Sequence, residues 1–264
     1  MSKLLLKAIS GNGHVVDVTP ESAGWSYVGF GLHRLEAGQS VCGTAGEREL
    51  CLVFVTGKGK VRANGAELGL LGQRMSPFDG KPWSVYLPQG SEWSLTAETD
   101  VELAVCSAPG LGGGLPVRVI APDDLGQEVR GAGTNTRYVT NILPENEPAD
   151  SLLVVEVITP GGHTSSYPPH KHDQDNLPAE SYLEETYYHR LNPPQGFGFQ
   201  RVYTDDRSLD EAMAIEDGDV VLVPKGYHPC AACHGYDLYY LNVMAGPKRT
   251  WKFHNAAEHE WLVK

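Results

Sequence analysis

The chain has 264 residues, of which 41% are hydrophobic and 20% charged, enough for one large or two ordinary globular domains. Its 33 acidic residues outnumber its 21 lysines and arginines, and the formal net charge of −12 argues against general binding to nucleic acids or anionic membrane surfaces. The longest apolar runs, such as residues 220–223, have the length of a strand, so no membrane-spanning segment is predicted.

Short β-prone runs follow one another along the whole chain. The 30 glycines and 18 prolines between them are typical of turns, and this spacing predicts an all-β fold of sandwiches or barrels. One exception is residues 208–215, predicted as a short helix or a turn capped by Ser208. The predicted strands are 51–55, 84–87, 101–105, 152–158, 220–223 and 238–243.

A weak internal repeat relates the two halves of the chain. Residues 88–92, Pro-Gln-Gly-Ser-Glu, resemble residues 224–228, Pro-Lys-Gly-Tyr-His, and each set follows a predicted strand. The run that begins at Glu49 resembles the run that begins at Glu185. The glycine-rich residues 108–116 lie between the two halves and are typical of a linker or a long turn.

We therefore predict two similar β-barrels, at residues 1–114 and 115–264. The first copy has no histidine pair before Glu49, and Glu92 stands at the place that His228 takes in the second copy. The first barrel is thus predicted to be degenerate, and any metal site is expected in the second barrel alone.

A histidine pair in the second half predicts a metal site. His170 and His172 are two residues apart on a segment expected to be extended, so their side chains point to the same face. The predicted strand 183–189 adds a carboxylate, and the segment 218–228 ends in a third histidine, His228. Three imidazoles and one carboxylate suit a divalent ion, with zinc as our first choice and Fe, Mn, Ni or Co as alternatives. Such a set leaves positions open for water or substrate.

These elements resemble the two sequence motifs of the cupins, of the forms HxH…E…G and G-x5-P-x-G-x-H. The resemblance implies a small barrel with four metal ligands around its interior. Those ligands are His170, His172, Glu185 and His228. Glu185 is implied because cupin strands of the form Glu-x-Tyr-Tyr place the ligand two residues before the first aromatic, so Glu184 is expected to face solvent.

Longer segments resemble the 5-deoxy-glucuronate isomerases of myo-inositol breakdown. The resemblance runs over essentially the whole chain and is strongest from residue 129 to residue 251. It implies a cytoplasmic bicupin with a divalent metal that interconverts 5-deoxy-D-glucuronate and 2-deoxy-5-keto-D-gluconate, an aldose–ketose isomerisation. The matching segments are 130–142, 165–173, 183–188, 196–207, 223–229 and 239–246.

Strand alternation names candidate catalytic residues for that reaction. If Glu185 faces the barrel interior, Tyr187 and His189 face it too, the first as a donor to an oxyanion and the second as a carrier of protons. Tyr240 and Asn242 share one face of the last strand and are predicted to line the pocket, Tyr240 with a catalytic role.

A substrate carboxylate favours a bidentate guanidinium partner. Arg137 and Arg201 are the predicted partners, with Arg130 as a third candidate and Lys171 as a flexible alternative.

Two other functions use the same residues. An Fe(II) cupin dioxygenase would have the same ligands and consume oxygen, and a non-catalytic sugar-binding cupin would turn over nothing. The predicted partner is a small sugar acid, with neither nucleic acid nor a membrane, and a homo-oligomer is our guess for the assembly. Five scattered cysteines and no recognised secretion signal predict free thiols in the cytoplasm.

Overall fold

The computed structural model describes residues 2–263, and strands form almost all of its regular structure. The predicted all-β fold is confirmed. A single turn of α-helix (Pro20–Ala23) and three 3₁₀ segments (Pro122–Asp124, Gly133–Asn135 and Ala257–Val263) are the helical elements of these residues. None of these helices is long and apolar enough to span a membrane.

The strands of the first half are β1 (Leu5–Leu6), β2 (Gly13–Val18), β3 (Gly29–Leu35), β4 (Ser40–Thr44), β5 (Arg48–Thr56), β6 (Gly59–Ala63), β7 (Ala66–Leu71), β8 (Ser84–Leu87), β9 (Glu92–Ala97), β10 (Val101–Pro109), β11 (Arg118–Ile120) and β12 (Gly126–Arg130). Those of the second half are β13 (Arg137–Leu143), β14 (Leu153–Thr159), β15 (Thr164–Ser165), β16 (His170–Lys171), β17 (Asp173–Asn176), β18 (Glu180–Tyr182), β19 (Glu184–Asn192), β20 (Phe197–Tyr203), β21 (Asp210–Glu216), β22 (Val220–Val223), β23 (Cys230–Ala232), β24 (Asp237–Ala245) and β25 (His254–Asn255).

The amino-terminal unit consists of residues 8–126 and 142–154. It holds a six-stranded sheet in the order β11-β8-β5-β10-β3-β2 and a four-stranded sheet in the order β4-β9-β6-β7. One buried apolar cluster takes side chains from β5 and β8 of the larger sheet and from β6 and β9 of the smaller sheet. The two sheets therefore enclose a common core.

The carboxy-terminal unit consists of residues 2–7, 127–141 and 155–263. Its seven-stranded sheet has the order β1-β22-β19-β24-β14-β13-β12, and its four-stranded sheet has the order β15-β23-β20-β21. The short pairs β16-β25 and β17-β18 carry the segment around the histidine pair. Strands β19 and β24 are central and buried along nearly their whole length, so their polar side chains need partners inside the unit.

The two units have matching strand orders. The series β8-β5-β10-β3-β2 corresponds to β22-β19-β24-β14-β13, and β4-β9-β6-β7 corresponds to β15-β23-β20-β21. This correspondence supports the internal repeat, while the boundary at residue 114 stays a prediction about where the two copies divide.

The strand register identifies corresponding residues in the two copies. Leu50 of β5 pairs with the last residue of β8, and Glu185 of β19 pairs with the last residue of β22. Leu50 therefore corresponds to Glu185, and Glu49 corresponds to Glu184.

Glu92, which the repeat aligns with His228, does not point inward as His228 does. Glu92 is exposed, whereas the next residue, Trp93, is buried in the apolar cluster. Trp93 therefore takes the inward place in the first copy, since neighbouring residues of a strand face opposite sides.

The expected helix or turn over residues 208–215 is also wrong. Most of this segment is strand β21, which pairs with β20 along its whole length. Met213 and Ile215 are buried and lie two residues apart, so they form the inward face of a strand.

Candidate metal centre and its cavity

Three histidines of the carboxy-terminal unit converge on one point. One ring nitrogen from each of His170, His172 and His228 lies within 4.8 Å of those of the other two. The ring of His228 is 5.1 Å from each of the other two rings, centroid to centroid. Extended backbone directs the first two side chains to the same side, and the turn after β22 supplies the third.

Glu185 completes this cluster. One carboxylate oxygen contacts Nε2 of His172 and is 3.8 Å from Nε2 of His228. The other oxygen accepts a hydrogen bond of 2.8 Å from the side-chain amide of Asn242. The expectation that Glu184 faces solvent is wrong, because β19 is covered on both faces and Glu184 is buried as fully as its neighbour.

The state of these side chains fits a divalent cation. Nδ1 of His228 donates to the carbonyl oxygen of Gly226 at 2.9 Å, which leaves Nε2 buried without a hydrogen-bond partner and with its lone pair free for a metal. Burial and the neighbouring imidazoles hold the pKa of His170 well below its usual value, so this ring is neutral. Burial alone would raise the pKa of Glu185, but His172 and His228 lower it, so its carboxyl is ionised. Burial would lower the pKa of His172, but Glu185 raises it, and a bound cation would displace that proton because neutral imidazoles and a carboxylate are the forms that bind divalent metals.

Ion pairs of the buried Lys171 side chain hold the backbone that carries the histidine pair. The Lys171 side chain is 4% exposed, and its Nζ bonds Asp173 at 3.0 Å and Asp205 at 2.9 Å. The second Asp173 oxygen accepts from the backbone N–H of Gly226 at 2.9 Å and thereby joins the histidine pair to the turn that carries His228. The structure does not bring Lys171 to the candidate substrate site, because its side chain points to the opposite side from the imidazoles.

A cavity of about 720 Å³ in the same unit reaches one of the histidines. Its wall includes Arg130, Arg137, Tyr167, His170, Trp251 and Phe253. A small inner space shares the two arginines and His170 with this cavity and extends toward the barrel interior. The inner space is also lined by Ser166, Tyr187, Tyr240 and Asn242.

Two arginines line this cavity. Nη1 of Arg137 bonds the backbone and side-chain oxygens of Asn135 at 3.0 and 3.1 Å. Arg130 bonds Glu128 at 2.9 Å and lies over the ring of Trp251, 5.0 Å from the centroid. Both guanidinium groups are fixed in place, so they present positive charge to a carboxylate without a large loss of side-chain entropy on binding.

Arg201, the other predicted carboxylate partner, is not at the cavity. It makes two hydrogen bonds of 2.7 Å to Asp210, and its side chain is 46% exposed. Its neighbour Gln200 is buried and faces inward, so alternation along β20 turns Arg201 outward.

The predicted catalytic residues lie close together, at different depths. The rings of Tyr187 and Tyr240 are 4.9 Å apart, and the Tyr240 hydroxyl is 2.7 Å from the Ser165 hydroxyl. His189 is fully buried and does not line the cavity; its Nε2 is 2.9 Å from the Gln200 side-chain oxygen. Burial lowers the pKa of His189 to about 4.

The sequence analysis does not identify several residues at or near the site, and most of them carry no signal in the sequence. Trp251 and Phe253 follow the last barrel strand in an irregular segment, and no periodicity points them to the cavity. Gln200 could have been found from β20, because a polar residue on the inward face of a predicted strand is unusual. Ser166 is the second of two adjacent serines and lies in a loop, and its position becomes apparent only in three dimensions.

Comparisons with known proteins agree with this architecture. The model of a family described as KduI/IolB matches residues 4–262. A 5-deoxy-glucuronate isomerase of Geobacillus kaustophilus is 57% identical over 267 residues, which cover 100% of this chain and 96% of the relative. The crystal structure of an IolB-like protein from Salmonella typhimurium LT2 is 56% identical, with a TM-score of 0.97 and full coverage of both chains.

A more distant likeness concerns the fold alone. An oxalate decarboxylase of Bacillus subtilis, studied for its Mn(II) centres, has a TM-score of 0.65 at 13% identity and covers 97% of this chain and 80% of its own. Oxalate decarboxylases are cupin-fold proteins, so the cupin architecture is shared at this distance.

Proposed function

The chain belongs to the KduI/IolB family, and on that premise we propose that it is a metal-dependent isomerase that converts 5-deoxy-D-glucuronate to 2-deoxy-5-keto-D-gluconate. The observation that carries the proposal is the cluster of three histidines and Glu185, of which His170 lines a cavity that also presents two arginines. A sugar acid needs both features, because the arginines would bind its carboxylate and a cation held by the cluster would polarise its reacting carbonyl.

Aldose–ketose isomerisation moves hydrogen between adjacent carbons, either as a proton or as a hydride. Both routes develop negative charge on the carbonyl oxygen, which must be stabilised. A divalent cation held by His170, His172, Glu185 and His228 would supply this stabilisation as a Lewis acid.

The chain's own side chains bind, orient and donate. Arg137 and Arg130 hold the substrate carboxylate and so fix which end of the sugar enters first. Burial raises the pKa of Tyr187 and of Tyr240, so both phenols keep their protons and donate hydrogen bonds to substrate oxygens. Asn242 orients Glu185 through its amide. His189 does not line the cavity and contacts Gln200 through Nε2, so it makes no direct contact with substrate in this proposal.

We propose zinc as the resident ion, with Fe, Mn, Ni or Co as alternatives, since a donor set of three nitrogens and one oxygen accepts any of them. The bicupin organisation with a degenerate first barrel and the cytoplasmic location are proposed on the same family premise. Assembly into a homo-oligomer stays a prediction.

The test is incubation of the purified protein with 5-deoxy-D-glucuronate under nitrogen, followed by NMR. The expected result is formation of the keto acid without oxygen, loss of activity after chelation and recovery when a divalent ion is restored. Turnover that occurs only in a parallel incubation in air, with consumption of oxygen, would instead indicate a dioxygenase. Binding of the sugar acid without turnover, with every divalent ion tried, would indicate a binding protein and contradict the proposal.

A further inference from the structure

Ser166 combines an unfavourable backbone conformation with a buried hydroxyl. Its φ of +50° lies in the left-handed region, which costs free energy for a residue with a Cβ atom. The other described non-glycine residues in this region, Asn64 and Arg207, are exposed, whereas Ser166 is 6% exposed. Conformations of this kind persist where the surrounding structure holds them, and they cluster at functional sites.

The Ser166 hydroxyl lies among the polar groups of the inner cavity. Its Oγ is 3.3 Å from the Tyr187 hydroxyl, and it lines the inner space together with His170 and Tyr240. The neighbouring Ser165 makes a similar contact, 2.7 Å from its hydroxyl to that of Tyr240. The left-handed backbone therefore directs the Ser166 hydroxyl toward the inner space of the cavity. A serine with an extended backbone would direct it elsewhere.

The hydrogen bond between the two hydroxyl groups constrains the Tyr187 phenol. Each hydroxyl has one proton to donate and lone pairs to accept, so either group can be the donor. In both directions the bond fixes the rotation of the Tyr187 hydroxyl and therefore the atom, proton or lone pair, that it presents to the cavity.

We propose that Ser166 is a positioning residue of the isomerase site, which acts through Tyr187 and holds its hydroxyl in the orientation that the transition state requires. The inference rests on the proposed isomerase activity. It assigns to Ser166 a role in turnover that is separate from folding and from metal binding.

The test compares Ser166→Gly with Ser166→Ala. Both remove the hydroxyl, but glycine adopts a positive φ freely, while alanine keeps the Cβ atom. If the hydroxyl matters, both variants lower kcat by about 10- to 100-fold, as loss of a supporting hydrogen bond at a site typically does. KM, metal content and, for the glycine variant, unfolding temperature stay at the wild-type level. Asn64→Gly, which makes the same backbone change at an exposed residue, should retain wild-type kcat.

A double-mutant cycle separates positioning from a general structural role. In the Tyr187→Phe background, Ser166→Gly should lower kcat by less than about twofold, because the group through which it acts is already gone. Wild-type kcat in Ser166→Gly, or fully additive losses in the double variant, would overturn the inference and leave the isomerase proposal intact. Absence of turnover in the wild-type protein would overturn both.

Discussion

Strands β5 and β19 hold corresponding places in the two units, but their inward side chains differ in chemistry. In β5 the positions are Leu50, Leu52 and Phe54, all in the apolar core cluster. In β19 they are Glu185, Tyr187 and His189, which are buried and polar. The same strand order therefore surrounds a hydrophobic core in one unit and a candidate metal site in the other.

The amino-terminal unit still has a cavity, of about 420 Å³, among strands that correspond to those around the metal cluster. Its wall includes Leu50, Val105 and Trp93, and Val105 stands where the other unit has Asn242. Within residues 2–263, the group of three metal-ligand side chains that could hold an ion lies in the carboxy-terminal unit. The same fold therefore accommodates an apolar or a polar interior, and a few inward side chains decide which unit can hold a metal site.

We expect the largest effects when Glu185 of β19 and Leu50 of β5 are each replaced by the residue that stands at the corresponding position of the other strand. Glu185→Leu should abolish metal binding and reduce turnover below detection, while the protein stays folded, because His172 can lose its proton and so leaves no buried charge unpaired. Leu50→Glu should cost about 3–5 kcal/mol of unfolding free energy and bind no metal, since no imidazoles surround that position. Elemental analysis and denaturant unfolding check both. Metal bound by Leu50→Glu, or retained in full by Glu185→Leu, would contradict the comparison.

The buried Glu49 shows how the amino-terminal unit uses a carboxylate for structure. It accepts from the backbone N–H groups of Asp150, Ser151 and Leu152 at 2.7, 2.5 and 2.5 Å, and from the Tyr86 hydroxyl at 2.6 Å. Glu49→Ala leaves these donors unsatisfied and should cost about 3–4 kcal/mol, with metal content unchanged. The exposed Glu92→Ala is the control, expected within about 0.5 kcal/mol of wild type. Equal stability of the two variants would refute this role.

The arginines allow a test within the carboxy-terminal unit. Arg137→Ala should raise KM for the sugar acid by about 10- to 100-fold, the value of one or two hydrogen bonds between charged groups. Arg201→Ala removes an equal charge from the outer face of the sheet and should leave KM near its wild-type value. Steady-state kinetics at one ionic strength measures both. Similar increases in the two variants would mean that general electrostatic attraction, and not a built carboxylate site, governs binding.

A smaller effect concerns pH and His33 of the amino-terminal unit. Burial lowers the pKa of His33 to about 4 in the folded protein, whereas in the unfolded chain this pKa has its ordinary value of about 6.5. Below about pH 6.5 the unfolded chain therefore binds more protons at His33 than the folded protein does. Stability is therefore present above this pH and is lost as the pH falls from about 6.5 toward 4. His33→Gln should reduce that loss by about 1–2 kcal/mol, a value discounted for the partial exposure of the ring. Urea unfolding at several pH values measures it, and identical pH profiles of variant and wild type would contradict the assignment.

Local patterns in the sequence are sufficient for the fold class and for the three histidines of the cluster, whereas the choice of Glu185 over Glu184 depends on the resemblance to the cupins. Alternation along an extended segment places His170 beside His172, and one glutamate and one turn histidine follow at motif spacing. Alternation without the structure does not say which face is inward, so Arg201 was placed at the site although the inward residue is Gln200. Lys171 is different, because alternation alone already sets it on the face opposite to His170 and His172.

The remaining errors concern contacts between distant parts of the chain. Glu184 is buried because β19 is covered on both sides, which no pattern within the strand reveals. The cavity wall brings Arg130, Trp251 and Phe253 together across more than a hundred residues of sequence. The backbone of Ser166 depends on its surroundings and not on serine's own preference, since serine rarely adopts a positive φ.

The most direct test is anomalous X-ray diffraction from crystals of the wild-type protein grown with zinc. We predict one anomalous peak within about 2.0–2.2 Å of the ligand atoms of His170, His172, Glu185 and His228, and no comparable peak in the amino-terminal unit. A cluster without density at saturating zinc, or an ion bound by a different set of side chains, would contradict the account.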